Sequence, residues 1–429
     1  MDWKAILRKQ LRMLFIGSEE IALVDSIPHL EGRFDPEGSL GLYLHIPFCR
    51  QICPYCPYNK VLYTPATARR YAQAVIKEID LYAKHLGDTR ITSFYIGGGT
   101  PTTMLGNGLP QILEHTQSSL NLDCDIHMES HPNDLTDANL ERIQALGVAH
   151  LSVGVEALQD HHLRTLCRSY SVEQVKAALE RAVAKGFRCV NADFIFALPF
   201  QTIQEVQQAG QKLLELGVDQ VSAYPLFTFP FTRLSTRLGR IDKPQMSIIQ
   251  RRKMFAVLER LFSQAGFERT SVWAFTRRGV PKYCSVTVPR YLGLGASGST
   301  YLDDVLYFNT FNVQAYIAAL DSQRLPIALS LELTRRMQMA GWLYWRIYET
   351  RFRKVDFKQR FGLEFDNVYG FLPKILSALG FMEECEDEIV LTNRGAYWLH
   401  VLQDLFSINY VGRLWGISQK ESWPSSVVL

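Results

Sequence analysis

Two hydrophobic patterns alternate along the first half of the chain. Short stretches that are apolar, or that alternate apolar with polar residues, are each followed by a longer stretch with apolar residues at helical spacing. The pattern predicts strands at residues 41–46, 91–96, 125–130, 150–154, 188–196 and 220–226, and helices that begin near Thr67, Pro110, Thr136, Ser171 and Thr202. Strand followed by helix, about six times, indicates a parallel sheet with the helices outside it.

Two of these helices carry boundary signals. Ser171 can cap a helix whose apolar positions form one stripe, and Gly186 follows where that helix should end. Thr136 and Gly147 have the same positions around an earlier helix. Units this regular predict an α/β fold in which the parallel strands form a barrel.

The pattern changes after about residue 240. Residues 254–262 and 333–348 are helical in pattern, and residues 291–298 contain three glycines. Residues 361–394 indicate short helices and then a strand near 389–392, with a turn at Gly395. These features predict a small, mostly helical and possibly winged C-terminal domain.

The resulting division of the chain has five parts. Residues 1–40 are an N-terminal amphipathic segment, because apolar residues recur at helical spacing near the start. Residues 41–235 are the barrel core, 236–325 a barrel extension with the glycine-rich segment, 326–417 the helical or winged module and 418–429 a loose tail.

Composition narrows the class of protein. The chain has 429 residues, of which 47% are hydrophobic, enough for a large core. A net charge of +3, from 46 basic and 43 acidic residues, gives no reason to expect a nucleic-acid partner. No stretch approaches the roughly 18 apolar residues of a membrane span. We expect a cytoplasmic monomer with no membrane span.

The eight cysteines are unevenly distributed. Three lie in the stretch Cys49 to Cys56, and the other five are scattered singly at Cys124, Cys167, Cys189, Cys284 and Cys385. This spacing is not that of a disulfide framework. We expect the five single cysteines to be small buried core residues.

The motif Tyr43-Leu-His-Ile-Pro-Phe-Cys49-Arg-Gln-Ile-Cys53-Pro-Tyr-Cys56 carries the candidate chemistry. Three thiolates on one short loop can bind three corners of a [4Fe-4S] cluster, whereas an electron-transfer cluster needs four. The alternative is a zinc site with His45 as the fourth ligand, but Pro47 and the strand direction disfavour it. An open iron can bind the amino and carboxylate groups of S-adenosylmethionine (SAM), which permits one-electron cleavage to methionine and a 5′-deoxyadenosyl radical.

With this motif the sequence resembles the oxygen-independent coproporphyrinogen III oxidase (HemN-like) family of the radical SAM superfamily. The similar motifs follow in the family's order from about Gly41 to Leu226. A weaker similarity is present near Tyr291 to Ser299 and in the C-terminal module. The resemblance implies a partial (β/α)6 radical SAM barrel, a [4Fe-4S] cluster, SAM and an electron donor such as flavodoxin or ferredoxin.

The resemblance also implies residue roles on the first two strands. Tyr43 would lean on cluster-bound SAM, and Tyr55 would contact its adenine. The motif that contains Gly98, Gly99 and Thr100 resembles the one whose backbone receives the methionine ammonium group.

Further SAM contacts are implied on later strands. Glu129 resembles the family's acidic SAM ligand, and Asp193 its ribose-binding aspartate. Arg168 follows Glu156 at the family's spacing between a polar strand-end residue and an arginine that meets the SAM carboxylate. We count Glu156 and Tyr43, with the three cysteines, as catalytic.

The chain also departs from the family. Glu156 replaces a common Gln, the N-terminus lacks the oxidase segment, and Pro57-Tyr58 replaces a Gly-Cys pair. The stretch from Cys284 to Tyr291 lacks the His-Asn-x-x-Tyr-Trp-like motif of the haem-chaperone branch.

Three functions follow as hypotheses. The first is methyl transfer to an sp² carbon of a large ring substrate, with a second SAM held near Glu156. The second is anaerobic coproporphyrinogen oxidation, and the third is a haem chaperone that retains the cluster. Aromatic residues at Phe227, Phe229 and Phe231 either pack in the core or line a mouth for a flat substrate.

Overall fold

The computed structural model describes residues 3–18, 20–35, 37–238, 246–283 and 289–429. The strands up to residue 225 are β1 (Ala22–Val24), β2 (Ser39–Ile46), β3 (Phe48–Cys49), β4 (Val61–Leu62), β5 (Arg90–Gly98), β6 (Asn121–Leu122), β7 (Ile126–Ser130), β8 (Val148–Glu156), β9 (Cys189–Phe196) and β10 (Gln220–Pro225). The later strands are β11 (Phe267–Arg269), β12 (Ala274–Arg277), β13 (Tyr291–Leu294), β14 (Ser299–Tyr301), β15 (Val305–Asn309), β16 (Ile327–Glu332), β17 (Arg351–Arg353), β18 (Met382–Cys385), β19 (Glu388–Leu391) and β20 (Ser426–Val428).

The α-helices surround these strands and form much of the C-terminal part. They are α1 (Trp3–Ile16), α2 (Pro65–Leu86), α3 (Leu109–Ser119), α4 (Asp137–Ala145), α5 (Asp160–Thr165), α6 (Val172–Ala184), α7 (Ile203–Glu215), α8 (Arg233–Leu238), α9 (Ile248–Gln264), α10 (Val313–Asp321), α11 (Arg335–Glu349), α12 (Lys354–Phe361), α13 (Phe365–Tyr369), α14 (Phe371–Ala378) and α15 (Asn393–Ser418).

Six neighbouring parallel strands form the centre of the fold, in the order β10-β9-β8-β7-β5-β2. Each contains or overlaps a strand predicted from the hydrophobic pattern. Thr136, Ser171 and Thr202 cap α4, α6 and α7, as their side chains accept hydrogen bonds from the first helical turns. The α/β prediction with parallel strands is confirmed.

The sheet continues beyond both edges of this parallel centre. The antiparallel strands β12 and β11 follow β10 on one side. On the other side β13 pairs in parallel with β2, and the antiparallel strands β14, β15 and β16 follow it. The glycine-rich segment therefore lies beside the strand that leads into the cysteine motif.

The end of the chain differs from its prediction. Residues 418–429 are not a loose tail, because β20 pairs with β1, which in turn pairs with β16. The terminal Leu429 is buried and its backbone N–H donates to the carbonyl of Ile21. These pairs join the two ends of the chain, and local sequence patterns carry no signal for such distant pairing.

Gly395 also differs from its prediction, since it lies in the first turn of α15 rather than in a turn between elements. Its backbone N–H donates to the side chain of the capping residue Thr392. A Cβ at this position would lie 1.7 Å from the carbonyl oxygen of Phe381. Glycine is therefore required by close backbone approach, not by a turn.

The C-terminal part has its own hydrophobic core. Residues of α11 to α15 and of the sheet β17-β19-β18 enclose a cluster that includes Phe357, Phe365 and Ile389. This matches the mostly helical C-terminal region that we predicted. The five domain boundaries given above stay predictions.

The single cysteines do not share one environment. Cys189 is buried as predicted, Cys124 and Cys167 are half-buried, and Cys385 is exposed, so the prediction of core burial is wrong for Cys385. Cys284 lies outside the described residues. Among the described residues, no helix is both long and apolar enough to cross a membrane.

A buried carboxylate fixes the glycine-rich segment to α2. Glu78 is fully buried and accepts hydrogen bonds from the backbone N–H of Gly295, from Asn309 Nδ2 and from the hydroxyl of Tyr316. Three donors on two distant segments therefore depend on one side chain.

Replacing Glu78 with alanine is expected to destabilise the protein by about 3–5 kcal/mol, because the buried donors would lose their acceptor. Scanning calorimetry should show a melting temperature lower by several degrees. Glu114→Ala, at an exposed position of α3, is the matched control and should melt with the parent. Equal melting of Glu78→Ala and the parent would contradict this role.

Candidate functional site

The predicted site residues lie toward the carboxyl ends of the parallel strands, where barrel enzymes place their chemistry. Glu156 is the last residue of β8, Gly98 is the last of β5 and Glu129 is the last but one of β7. The loop with the three cysteines follows β2, and its first cysteine, Cys49, ends the short strand β3. The strand order brings these positions to one end of the barrel.

The loop that carries the three cysteines is held from several directions. Lys60 Nζ donates to the carbonyls of Cys56 and Tyr58, at 2.7 and 2.8 Å. The backbone N–H of Leu234 donates to Pro54, and Gln51 Nε2 donates to the carbonyl of Cys167. The loop conformation is therefore fixed by protein contacts, which suits a pre-formed ligand set.

Two side chains donate hydrogen bonds to the cysteine sulfurs. Thr100 Oγ1 lies 3.7 Å from Cys49 Sγ, and Arg168 Nη1 lies 3.1 Å from Cys53 Sγ. Burial raises the pKa of Cys49, and it raises the pKa of Cys56 to about 12. Buried thiols of this kind become thiolates only beside a strong positive charge, and iron in a cluster would supply it.

The zinc alternative does not fit this site. Both ring nitrogens of His45 are engaged, Nδ1 with the Tyr43 hydroxyl and Nε2 with the Asn59 carbonyl, each at 2.9 Å. Because a carbonyl only accepts, Nε2 carries the proton and Nδ1 accepts from Tyr43. Burial lowers the pKa of His45 to about 4, so the ring is neutral.

The cysteine spacing agrees with this conclusion. Among the described residues, the sulfurs of Cys49, Cys53 and Cys56 are not a group whose members all lie within 4.8 Å of one another. A tetrahedral zinc ion would bring thiolate sulfurs to about 3.8 Å. A cubane cluster separates them further, because its iron atoms are themselves held apart by sulfides. With this spacing the three thiols do not form a tetrahedral zinc site.

The glycine motif packs directly against the cysteine loop. The backbone N–H of Gly99 donates to Ile46, and that of Thr100 donates to Phe48. Gly98 has a φ of 114°, and a Cβ there would lie 2.4 Å from the His45 ring. Only glycine tolerates both the conformation and the approach. These residues lie where the resemblance implies, and their role toward methionine stays a prediction.

Glu129 is a half-buried carboxylate that joins the glycine motif to its own strand. It accepts from the Tyr95 hydroxyl at 2.6 Å and from the backbone N–H of Gly98 at 2.9 Å. Burial raises its pKa, and the neighbouring charge of Glu156 adds to the rise. Each carboxylate oxygen can accept more than one hydrogen bond, so Glu129 can still bind a donor group of a ligand.

Asp193 is held by two polar neighbours in the barrel interior. Ser152 Oγ donates to Oδ2 at 2.7 Å, and Asn191 Nδ2 donates to Oδ1 at 3.0 Å. Burial raises the pKa of Asp193 to about 7, and the charges of Glu129 and Glu156 contribute. The Asp193 carboxylate is thus held in one orientation, but its neighbours balance its negative charge poorly. A group that binds a cationic ligand has these properties.

Arg168 joins the cysteine loop to the end of β8. Besides Cys53, it contacts Glu156 Oε1 at 3.4 Å, the Gly154 carbonyl at 3.2 Å and the Tyr170 hydroxyl at 2.6 Å. Arg168 therefore pairs with Glu156, a contact that the sequence did not predict, and its role toward the SAM carboxylate stays a prediction.

Glu156 has a strained backbone. Its φ is 63°, in the left-handed region that residues other than glycine rarely adopt. Its carboxylate faces Arg168, and burial raises its pKa while the neighbouring Arg168 and Tyr55 oppose that rise. Strain of this kind persists where surrounding contacts enforce it, which is common at functional sites.

Several supporting residues escape sequence reasoning. Tyr95 stacks on Tyr43 with ring centroids 6.0 Å apart and also bonds Glu129. Ser152 and Asn191 hold Asp193, and Tyr170 holds Arg168. Asn191 could have been found, because it lies two residues before Asp193 and so shares its face of the strand. Tyr170 lies two residues after Arg168, whereas Tyr95 and Ser152 lie on other strands than the carboxylates they contact.

The aromatic residues after β10 are half-buried and form a row. Ring centroids of Phe227 and Phe229 are 6.2 Å apart, and those of Phe229 and Phe231 are 6.1 Å apart. Phe227 also contacts Trp273, which is buried in the core together with Phe275. The row thus begins at the core and has partly exposed members that can contact a flat molecule.

The site has more negative than positive side chains. Glu129, Glu156 and Asp193 are three half-buried carboxyl groups, with Arg168 as a cation among them. SAM has a sulfonium and an ammonium group against one carboxylate, so its charge complements this imbalance. The donor set therefore fits SAM as well as a cluster.

SAM binding is expected to weaken as the pH falls below about 7. In the protein without SAM the pKa of Asp193 is about 7, so acidification protonates it and removes the charge that attracts SAM. The dissociation constant should rise about tenfold per pH unit until the pKa of the bound state is reached. Equilibrium dialysis of the reconstituted protein between pH 8 and 6 measures it. Asp193→Asn should reduce the change of the SAM dissociation constant with pH. A dissociation constant of the parent protein that does not change with pH would contradict the role of Asp193.

Comparison with known proteins agrees with this geometry. Residues 43–213 match the Radical SAM superfamily. The heme chaperone HemW of Bacillus subtilis (strain 168) is 26% identical over 362 residues, which cover 82% of this chain and 95% of that relative. The oxygen-independent coproporphyrinogen III oxidase of Cereibacter sphaeroides is 24% identical over 312 residues, covering 68% of this chain and 69% of that relative.

A solved structure shares the whole architecture. Coproporphyrinogen III oxidase (HemN) from Escherichia coli, described as a radical SAM enzyme, superposes with a TM-score of 0.77 at 22% identity. The match covers 90% of this chain and 94% of that one. At this identity the likeness establishes the fold.

The fold and the cysteine loop are like those of the radical SAM superfamily, whose family model matches residues 43–213 of this chain. Among the proteins of that superfamily, the chain is similar to HemW and to the HemN-type coproporphyrinogen III oxidases. Its cofactors are accordingly a [4Fe-4S] cluster and SAM. The predictions of family, fold class and cofactors are confirmed.

Proposed function

We propose that this protein is an enzyme that cleaves SAM and directs the product at a tetrapyrrole or a similar large ring. The observation that carries the proposal is that three half-buried carboxyl groups and Arg168 meet beside the cysteine loop. Glu129, Asp193 and Glu156 all raise the pKa of Tyr58, which follows Cys56. Arg168 contacts Cys53 Sγ. When bound, a [4Fe-4S] cluster with an open iron supplies the electron that cleaves SAM to methionine and a 5′-deoxyadenosyl radical.

Different residues would bind the cluster and the separate polar groups of SAM. Cys49, Cys53 and Cys56 would hold the cluster, and Asp193 and Glu129 would accept hydrogen bonds from the ribose and ammonium groups. Arg168 would meet the SAM carboxylate through its planar guanidinium. These groups exclude water and fix one orientation of SAM.

Glu156, Tyr43 and Tyr55 would support this arrangement. Glu156 bonds Tyr55 and pairs with Arg168, so it acts as a positioning residue for the first SAM. Tyr43, stacked on Tyr95, would cover the cofactor. In this arrangement the Glu156 carboxylate is already paired with Arg168, so it has little capacity to bind a second SAM molecule.

The ring substrate is inferred from two observations. The names of the relatives refer to haem or to coproporphyrinogen III, which are both tetrapyrroles. The row Phe227, Phe229 and Phe231 provides partly exposed aromatic faces on which a flat ring can stack. Hydrogen abstraction is the reaction we propose. Methyl transfer was our first hypothesis from the sequence, but these relatives do not support it.

A haem chaperone is the second candidate. HemW proteins of Bacillus subtilis and Escherichia coli (strain K12) align with 82% and 86% of this chain, more than the oxidase does. Against this candidate, the sequence from Cys284 to Tyr291 lacks the haem motif of that branch.

One anaerobic experiment separates the candidates. The reconstituted protein is incubated with dithionite and SAM, with and without coproporphyrinogen III or haem, and products are quantified by mass spectrometry. Hydrogen abstraction predicts 5′-deoxyadenosine that increases with a ring substrate, without S-adenosylhomocysteine. Both products together would support methyl transfer. A haem absorbance shift with no deoxyadenosine above a cluster-free control would overturn the enzyme proposal in favour of the chaperone.

A further inference from the structure

Three potential metal ligands meet on the outside of the barrel, away from the cysteine loop. His161 and His162 are adjacent on α5, and Glu205 lies in the first turn of α7. One ligand atom from each lies within 4.8 Å of the other two. Glu205 Oε1 is 3.1 Å from His161 Nε2 and 3.6 Å from His162 Nε2.

His162 gives evidence for a bound ligand that is independent of the spacing of the three side chains. The residue is only 1% exposed, and neither of its ring nitrogens has a hydrogen-bond partner among the described residues. A buried polar ring without a partner is costly, and such groups usually bind water or an ion. Its Nε2 faces the oxygen of Glu205 at a distance too long for a hydrogen bond.

Glu205 is prepared to contribute one oxygen. Its Oε2 accepts from the backbone N–H and the hydroxyl of Thr202, at 2.7 and 2.8 Å. These bonds cap α7 and fix the direction of Oε1, as the outer contacts of metal ligands do.

We propose that His161, His162 and Glu205 bind a zinc ion, with water completing the coordination. Two imidazoles and one carboxylate suit zinc, and ligand atoms around a tetrahedral ion lie about 3.3 Å apart. The two measured distances to Glu205 Oε1 lie on either side of this value. The side chain of His161 is 55% exposed, which leaves a path for the ion.

The ion would brace the segment that carries the SAM-site arginine. α5 lies between Glu156 and Arg168 in sequence, and the ion would tie it to α7. Occupancy would therefore stiffen the 156–168 segment. The site itself does not depend on the proposed function, since its ligands belong to no part of the cysteine site.

The test uses anaerobically reconstituted protein, so that the cluster occupies the three cysteines, dialysed against ZnCl2. We expect one zinc per chain by elemental analysis and a zinc X-ray absorption spectrum with nitrogen and oxygen neighbours only. His161→Ala and Glu205→Gln should weaken zinc binding at least about tenfold. Glutamine retains the capping bonds of α7, so the second variant keeps the fold.

His29→Ala is the matched control, because His29 faces Glu31 at 3.6 Å on the surface. It should bind zinc as the parent does, and zinc should raise the melting temperature of the parent and of this control only. Sulfur neighbours in the absorption spectrum, or zinc affinity unchanged in both His161→Ala and Glu205→Gln, would overturn the site.

Discussion

Cys53→Ala is expected to lower the rate of 5′-deoxyadenosine formation by at least about a thousandfold, because the cofactor carries the chemistry that the side chains cannot supply. Cys53 is one of three thiols on the loop and receives the hydrogen bond from Arg168. With two thiols remaining, the cluster would lose one of its three protein ligands. Iron content and the absorbance of the reconstituted protein should fall together with the rate.

Cys385→Ala is the matched control for this experiment. Cys385 is an exposed free cysteine on β18, outside the cysteine loop. Its replacement should leave iron content and deoxyadenosine formation at the parent level. Formation of deoxyadenosine by Cys53→Ala at the parent rate would show that the cluster assignment is wrong.

Arg168→Ala is expected to lower kcat/KM for SAM cleavage by about 10²–10³-fold. The guanidinium contacts Cys53 Sγ, Glu156 and the Gly154 carbonyl, so its loss leaves a buried carboxylate unpaired. Truncating one partner of a buried charge pair costs about 2–5 kcal/mol. Arg168→Lys keeps the charge but loses the planar two-pronged contact, and its activity should be intermediate.

The design includes a double variant and a control. Glu156→Gln in the Arg168→Ala background removes the unpaired charge and should restore part of the lost SAM affinity. Arg164→Ala, at an exposed position on α5, should behave as the parent does. Equal activity of Arg168→Ala and Arg164→Ala would contradict the role given to Arg168.

The local features of the fold could be predicted from the sequence because their causes are local. Ser171 and Thr202 cap helices through bonds to residues three positions later. The six parallel strands follow from hydrophobic runs that each lie between such helices. The pairing of β20 with β1 could not be predicted, since the two strands lie at opposite ends of the chain.

The site residues also divide into those that the sequence predicts and those that it does not. The cysteines were found from spacing, and Arg168 from its register with Glu156, whereas Tyr95 and Ser152 act on acidic groups of other strands. Their contacts depend on strand order and register, which a single sequence does not display. The left-handed backbone of Glu156 was also unforeseen, because nothing in the local sequence indicates a positive φ at a glutamate.

The central claim is that one iron of the cluster lacks a protein ligand and binds SAM directly. Electron–nuclear double resonance of the reduced cluster, with SAM labelled with ¹⁵N at its amino group, measures this contact. We predict a ¹⁵N coupling that appears only when labelled SAM is present and is lost in Cys53→Ala. A reduced cluster that shows no coupling to saturating labelled SAM would contradict the account.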